Sequence, residues 1–566
     1  MIGGVFLLVL LGGVIAAVVA ALRRSSHHPG GSGDHPPGEF RRAAELTVLA
    51  VAGGVATAGV AGLLTRLFDA LAGVPLDADV AAAARALALT FIAGPISLLG
   101  WWWTWRRIGP AQRPSLVWSL FLVVTTTVSL LVWSIAGVGA FAGWLTGPLH
   151  RAGLATGLAW AGAWVGLRWV QRRSDRRPSR LVDVSPVLGS IVGMALAVIG
   201  AVTALQLLFG RAVESWADVV TLGPGDWWRP VLRWTVLAAG GSAIWWLHWV
   251  RDGARRETSP LAHLGAVVSG VVTGAVLTLV GAGMVLFDLS RLALGEEASV
   301  ATMRPGLGLA VALALVGGLL WSGHARTVAR RPAVVRRAAG LALSGIGLVA
   351  AATGLGIVVN AGLGAVGSTL AGSGMRDLLC GGLSVLAVGT PLWVAAWRPG
   401  VQIKDPEQRH WSGRQTYLVI VFGASALTAL GTLIAVTYQI FESLLREPAD
   451  QDLLEQVRVS LGLLVSTVLV AAYHFPVWRR DRTIRERAAG PPVGEILLVA
   501  GSAASELGAE VRARTGAQVR VWTTAVEPVD PPDADAVCAA LGERREGRVL
   551  VLTGDRGRVE VIPLRS

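Results

Sequence analysis

The sequence predicts an all-α polytopic membrane protein, with about 13 membrane-spanning helices, and a small C-terminal cytoplasmic α/β domain. Two observations support this fold class. The 566 residues are 53% hydrophobic and only 15% charged, and their mean hydropathy is +0.58, which is typical of integral membrane proteins. The apolar residues are also gathered into segments of about 20 residues or more, each long enough to cross a bilayer.

The N-terminal part of the chain divides into two pieces. Residues 2–22 are an apolar run that ends at Arg23 and Arg24. We expect residues 1–24 to form a transmembrane anchor with its N-terminus outside, and a cleaved signal peptide is the alternative. Residues 25–41 are rich in Gly, Pro and His, so they predict a flexible linker.

Residues 42–485 are predicted to form six helical hairpins, repeated along the membrane region. Each hairpin joins two apolar segments through a short loop, and small residues on the segments favour close helix packing. The predicted segments are 43–67, 83–105, 115–143, 150–171, 185–209, 229–250, 262–287, 305–325, 337–362, 377–397, 415–441 and 453–477.

A recurring stretch ends these hairpins, and Trp245–Asp252 is its fullest version. Aromatic or His residues lie four positions apart, so they share one helix face, and Arg follows them. Trp prefers the headgroup level of a bilayer, and Arg beyond it reaches anionic lipid. We therefore interpret these residues as interfacial anchors; the alternative is that they converge on a lipid headgroup or a cofactor. The candidate lipid or ligand contacts are Trp101, Trp105, Trp164, Trp169, Trp245, His248, Trp249, Trp321, His324, Trp393, Trp397, His474 and Trp478.

The charges indicate how the chain is threaded. Connectors between hairpins are rich in Arg, whereas the loops inside hairpins are mostly acidic. The positive-inside rule then places the connectors in the cytoplasm of a bacterial plasma membrane, near anionic lipid headgroups. The net charge of +13 could suggest a nucleic-acid partner. We expect none, because the Arg residues lie in short loops between apolar segments.

The composition changes at about residue 491, and residues 491–566 predict the cytoplasmic α/β domain. We expect it to bind a cytoplasmic protein partner. Its predicted strands are 495–500, 518–523, 549–552 and 559–563, and its predicted helices are 502–514 and 533–541.

The sequence offers little chemistry. It carries no recognisable nucleotide-binding, metalloprotease, hydrolase or kinase motif, so we predict no catalytic residues and no cofactor. The two cysteines, Cys380 and Cys538, cannot form a metal cluster, and we predict no metal site. Matching histidines such as His248 and His324 leave a haem or redox protein as the weakest alternative.

Three stretches resemble a known family. Ala472–Asp481, Trp245–Asp252 and Arg414–Leu418 are similar to the uncharacterised prokaryotic integral-membrane family named domain of unknown function 5671. The resemblance would cover most of residues 42–485 as repeated helix pairs, and it implies a multi-pass membrane protein without known activity. The function expected from the sequence is that of a non-enzymatic scaffold or sensor. The main alternative is a transporter or flippase of a lipid or neutral solute.

Overall fold

The computed structural model divides the chain into two compact units, Met1–Val394 and Ala395–Ser566. The predicted anchor at 2–22 and most of the predicted linker lie outside the described residues. The residues that the structure describes are 38–75, 79–108, 115–216, 226–294, 300–367, 373–401, 412–445, 453–489, 494–526, 529–542 and 547–564.

The first unit contains five helical hairpins. Hairpin 1 is α1 Gly38–Leu71 and α2 Val80–Arg107; hairpin 2 is α3 Leu116–Trp133, a π-helical turn Ser134–Val138, α4 Gly139–Thr146 and α5 Arg151–Arg172; hairpin 3 is α6 Val184–Trp216, α7 Trp228–Trp246 and a π-helical turn Leu247–Arg251; hairpin 4 is α8 Pro260–Gly265, a π-helical turn Ala266–Val272, α9 Thr273–Leu294 and α10 Val300–Ala329; hairpin 5 is α11 Ala333–Gly367 and α12 Ser373–Val401, whose end belongs to the second unit.

Ten helical stretches of the described residues are long and apolar enough to cross a membrane. This agrees with a multi-pass membrane protein. Helices α5 and α7 form where the sequence predicts spans, but they are less apolar and are not among these ten stretches. The physical reason is their composition, because each combines several Trp residues with Arg. Large apolar side chains such as Phe91 and Ile92 on α2 remain exposed, as expected of surfaces that face lipid tails.

Glycine lets the two helices of a hairpin touch backbone to backbone, and the same contacts recur in three hairpins. A Cβ added to Gly200 would lie 2.5 Å from the backbone nitrogen of Ala238. The corresponding distance is 2.4 Å from Gly281 to Ala314, and 2.5 Å from Gly354 to Leu386. Such close approach is how helices associate in a membrane, where water cannot drive them together.

A second set of contacts lies about two helical turns nearer the basic ends. Gly193 lies against the backbone of Trp245, and Gly274 lies against the backbone of Trp321. Gly347 makes the same contact with Trp393. The spacing between the two sets is the same in hairpins 3, 4 and 5. These hairpins are therefore built with one common register.

Arg side chains fasten neighbouring connectors to each other. Arg331 is 6% exposed, and its guanidinium donates hydrogen bonds to the carbonyls of Glu257 and Arg255. Arg176 likewise donates to the carbonyls of Trp105 and Ile108. These carbonyls follow or end helices, where backbone acceptors lack helical partners. These two residues, which we call the Arg clamps, therefore provide hydrogen-bond donors for backbone carbonyls at helix ends. They join hairpin 1 to hairpin 2, and hairpin 3 to hairpin 4.

The second unit contains the end of α12, a sixth hairpin and the α/β domain. Hairpin 6 is α13 Ser412–Leu445 and α14 Leu453–Ala489. The domain that follows is β1 Glu495–Ala500, α15 Ala504–Thr515, β2 Gln518–Thr523, α16 Ala534–Gly542, β3 Arg548–Thr553 and β4 Val559–Pro563.

The α/β domain is one four-stranded sheet in the order β2-β1-β3-β4. Strand β1 pairs in parallel with β2 and β3, and β4 returns antiparallel to β3. Alternate residues of β1 are buried, including Ile496 and Leu498, and they pack with Val511 and Val537 from the two helices. Every predicted strand and helix of this domain is present, with bounds that differ by at most two residues.

Candidate functional site

A cavity of about 250 Å³ lies where hairpins 2 and 3 meet at their basic ends. About half of its lining is apolar, and we call it the polar cavity for the charged groups on its wall. It is bounded by the start of α3, the end of α5, the connector that follows α5, the start of α6 and the end of the π-helical turn after α7. Among the residues that line it are Arg168, Gln171, Arg172, Arg177, Ser185, His248 and Asp252.

Asp252 is the centre of the hydrogen-bond network beside this cavity. Arg168 Nη2 donates to both carboxylate oxygens, at 2.6 Å each. Arg172 Nη2 is 3.3 Å from Oδ1, and His248 Nδ1 is 2.9 Å from Oδ2. Burial alone would raise the pKa of Asp252, but the hydrogen bonds from His248 and Arg168 outweigh it and lower the pKa to about 2. Asp252 is therefore a carboxylate at neutral pH.

The ring of His248 is fixed on both sides. The residue is 3% exposed. Its ring packs against Gly189, where an added Cβ would lie 2.6 Å from the ring. The carboxylate of Asp252 requires a proton on Nδ1, because an ionised carboxylate can only accept. Arg168 Nη1, 3.2 Å from Nδ1, then makes a contact rather than a hydrogen bond. Nε2 is left as an acceptor, and it is buried without a partner among the described residues.

Local backbone geometry brings His248 to Asp252. The π-helical turn Leu247–Arg251 closes with a hydrogen bond of 2.9 Å from the Asp252 amide to the Leu247 carbonyl. Such wide turns are rare and occur frequently at functional sites. Gly253 follows the turn, and its φ of 85° lies in the left-handed region that glycine adopts readily.

Aromatic rings cover the other side of the network. The Arg168 guanidinium lies 5.0 Å from the centre of the Trp164 ring. Trp164 in turn meets His248 edge to face, with ring centres 6.0 Å apart. A guanidinium over a Trp face gains cation–π attraction, which is larger where water is excluded. Trp164 therefore helps to stabilise a charged group that is otherwise costly to bury.

The second unit contains a cluster of similar composition. Trp397, at the end of α12, contacts His474 with ring centres 5.5 Å apart. The guanidinium of Arg414 lies 5.3 Å from the Trp397 ring and pairs with Asp481 at 2.7 Å. Trp397 also donates a hydrogen bond of 3.0 Å to the hydroxyl of Tyr473. His474 is fully buried, and its Nδ1 lies 2.9 Å from the Val470 carbonyl.

The predicted aromatic and His contacts form successive pairs rather than one group in the first unit. Trp105 stacks on Trp169 at 5.7 Å, and Trp101 packs against Trp105 at 6.1 Å. His324 contacts Trp249 at 5.2 Å and Trp245 at 6.3 Å.

The remaining predicted residues also pack within the protein. Trp321 joins a core cluster around the buried Trp249. Trp393 packs its backbone on Gly347. In the second unit Trp478 stacks on Phe422 at 6.1 Å. Among the predicted contacts only His248 lines the polar cavity.

A second cavity, of about 780 Å³, lies between hairpins 1 and 2. It is lined by α1, α2, α3 and α5, and most of its lining is apolar. Trp101 and Trp169, both predicted lipid or ligand contacts, form part of its wall together with Trp160. Its size and lining match those of pockets that hold small apolar molecules.

The sequence did not single out Arg168, Gln171 or Asp252 as site residues. Arg168 is a charged residue inside a predicted apolar segment, which is by itself a functional signal. His248 and Asp252 are four positions apart at a helix end, a spacing that brings side chains together. Gln171 donates to Thr126 at 3.0 Å and to Ser185 at 3.1 Å, and no sequence pattern indicates those bonds.

Comparison with known proteins identifies part of the chain. Residues 337–473 match the family model described as Domain of unknown function (DUF5671). The predicted resemblance is confirmed for this stretch, which begins in α11 and ends in α14. It is narrower than the predicted 42–485 and does not reach the polar cavity. No curated protein and no solved structure matches the chain.

The arrangement can hold an anion and orient a proton acceptor. Arg side chains supply fixed donors, and the Asp252–His248 pair fixes the imidazole tautomer with Nε2 as the acceptor. No group of three His, Cys, Asp or Glu side chains is placed to hold a metal ion within the part of the chain that the structure describes.

Proposed function

We propose that this is a multi-pass plasma-membrane protein of a bacterium that acts as a non-enzymatic scaffold or sensor. Its repeated hairpins form a stiff platform in the membrane, and its α/β domain lies in the cytoplasm. The N-terminus is outside, and all basic connectors face the cytoplasm, where they meet anionic headgroups. A span at 2–22 and twelve hairpin helices make about 13 spans.

The common register of hairpins 3, 4 and 5 is the observation that carries the proposal. Backbone contacts such as Gly200 to Ala238 and Gly281 to Ala314 leave little room for helices to slide. Arg331 then fixes one connector to the next. A row of hairpins held in this way supports a platform more readily than a gate that opens and closes. A scaffold also needs a domain that binds a partner, and residues 491–566 provide a folded domain for a cytoplasmic protein.

The exposed Trp residues at the end of hairpin 1 fit interfacial anchoring. Trp102 and Trp103 are each 48% exposed, and Arg106 and Arg107 lie over their rings at 4.0 Å and 3.9 Å. Trp at headgroup depth with Arg beyond it is the expected arrangement of a cytoplasmic interface.

Reporter fusions test the threading in the whole protein. Green fluorescent protein fused after Ser566 should fluoresce, and alkaline phosphatase at the same place should be inactive. Alkaline phosphatase inserted between residues 446 and 452, a loop inside hairpin 6, should instead be active. The reverse pattern would overturn the cytoplasmic assignment of the connectors and of the α/β domain.

A transporter or flippase of a lipid or neutral solute is the second candidate, and the apolar cavity of about 780 Å³ favours it. A space lined by Trp101, Trp160 and Trp169 could receive an acyl chain from the bilayer. Purified protein in vesicles that contain fluorescent phospholipid decides between the two functions. Faster lipid exchange between leaflets than in protein-free vesicles would favour the flippase, and an unchanged rate is expected of the scaffold.

A further inference from the structure

We propose that the polar cavity between hairpins 2 and 3 is a binding site for a phosphate-bearing anion. Its lining carries three guanidinium groups, from Arg168, Arg172 and Arg177, but one carboxylate, that of Asp252. A partly enclosed space with this excess of positive charge attracts anions more strongly than the same charges in open solvent.

Arg168 and Arg172 contact Asp252 in different ways. Both of its oxygens accept from Arg168, so these two charges balance each other. Arg172 uses only Nη2 on Asp252, at the longer distance of 3.3 Å, and its side chain is 56% exposed. Arg172 therefore adds positive charge that the carboxylate of Asp252 does not balance, and Arg168 holds the wall of the cavity in place.

Guanidinium groups are suited to phosphate in particular. Arg presents a planar fork of donors that matches two phosphate oxygens, and it remains charged at any physiological pH. Ser185 adds a hydroxyl: its oxygen accepts from Gln171 at 3.1 Å, and a hydroxyl that accepts still has its own hydrogen to donate. The lining thus combines fixed charge with a neutral donor.

The size of the cavity limits the ligand. Pockets for drug-sized molecules have volumes of about 300–1,000 Å³. A cavity of about 250 Å³ suits a phosphate group with a small substituent rather than a dinucleotide. Two sources share this chemistry, the headgroup of an anionic phospholipid and a small soluble phosphate. The proposal of a phosphate site does not require the scaffold function or the proposed threading.

Binding is measured on the full-length protein in neutral detergent and phosphate-free buffer. The soluble probes are inorganic phosphate and glycerol 3-phosphate, titrated by calorimetry. The lipid probes are phosphatidylglycerol and phosphatidylcholine, and their retention is followed by native mass spectrometry. Retention of phosphatidylglycerol alone would assign a membrane headgroup as the source. Binding of glycerol 3-phosphate would assign a soluble phosphate.

Two matched variants decide whether the cavity is responsible. The double variant Arg172→Gln and Arg177→Gln should weaken binding of whichever probe binds by about tenfold or more, because each charge-assisted bond is worth about a tenfold change. Arg180→Gln should leave binding unchanged, since Arg180 is exposed on the same connector but does not line the cavity. Arg172→Lys should weaken binding to an intermediate degree, because it keeps the charge and loses the fork.

Three results would overturn the proposal. One is that the wild-type protein binds none of the four probes. Another is equal binding by the double variant and Arg180→Gln. The third is retention of phosphatidylcholine as strong as that of phosphatidylglycerol. If the double variant does not fold, Arg172→Gln alone replaces it, because the Arg172 side chain is mostly exposed.

Discussion

Replacing Asp252 with Asn removes the charge at the centre of the buried network and keeps the shape of the side chain. Arg168, whose side chain is 12% exposed, would then lie in the protein without its carboxylate partner. His248 would lose the charged acceptor of its Nδ1 proton. Because the remaining guanidinium is costly to bury unpaired, we expect Asp252→Asn to destabilise the first unit.

The magnitude follows from two estimates. Lowering the pKa of Asp252 from 3.8 to about 2 corresponds to about 2 kcal/mol in favour of the folded state. Removing one partner of a buried ion pair costs about 3–5 kcal/mol. We therefore expect a loss of about 2–4 kcal/mol at neutral pH. The sign is that of a lowered pKa: the stabilisation is complete above about pH 5 and is lost progressively as the pH falls through 2.

A buried thiol reports this loss. Cys380 is 2% exposed on α12 and belongs to the first unit, so a thiol-reactive dye should label it only after unfolding. Cys538→Ser removes the second cysteine from the assay. The temperature at which Cys380 becomes reactive should fall by several degrees in Asp252→Asn, and the difference from wild type should shrink when both are measured near pH 3.

Two comparisons make the outcome decisive. Asp175→Asn removes an exposed carboxylate that pairs with Arg173 and Arg176, and it should leave the midpoint almost unchanged, because solvent screens exposed ion pairs. Adding Arg168→Gln to Asp252→Asn should restore part of the loss, because the unpaired charge is gone. Equal midpoints for Asp252→Asn and Asp175→Asn would show that the network does not stabilise the fold.

The same assay tests two further contacts. Gly270→Ala should lower stability by about 1–3 kcal/mol, because the new Cβ would lie within 2.2–2.6 Å of ring atoms and the Cβ of His324. Gly323→Ala is the control: its new Cβ would have no neighbouring atom within 4 Å, so it should be neutral or slightly stabilising. Arg331→Gln should lower the free energy of unfolding by about 1–3 kcal/mol, because it leaves two connector carbonyls unpaired. Arg330→Gln replaces an exposed side chain and should have little effect. Equal midpoints for these two variants would argue against a stabilising role of the Arg331 hydrogen bonds.

The helices and strands could be predicted because their signals are local. Long apolar segments end at charged connectors, so all twelve predicted segments are helical in the structure. They carry the fourteen labels α1 to α14 because π-helical turns divide 115–143 and 262–287 into two helices each. In the α/β domain, the short apolar run Ile496–Ala500 and the Gly-rich turn before Val559 indicate the strands directly. The small predicted hairpin is the pair β3 and β4.

The site could not be predicted to the same degree, because it depends on contacts between distant segments. Arg168 and Asp252 are 84 positions apart, and no periodicity along one helix indicates that pair. The π-helical turn at Leu247–Arg251 is also invisible to a pattern with a fixed helical period. Aromatic residues were assigned to lipid because Trp and Arg prefer the interface. The burial of Trp249 against residues of hairpin 4 depends on contacts that no local pattern shows.

Two buried histidines, His248 and His324, each lie opposite a glycine. His248 faces Gly189 and His324 faces Gly270, so a small residue on the first helix makes room for an imidazole on the second. In hairpin 5 the same spacing from Gly347 and Trp393 leads to Leu343 and Ala396, a large residue and a small one.

What distinguishes the first of these histidines is the charge next to it. His324 Nδ1 lies 3.0 Å from the Leu320 carbonyl, and this contact stays within one helix of hairpin 4. His248 is bonded instead to Asp252, whose other partner, Arg168, comes from hairpin 2. A change in charge at the cavity, such as the arrival of a phosphate beside Arg172, would therefore act on the contact between two hairpins. It would not act in the same way on His324, because that ring has no charged partner among the contacts described.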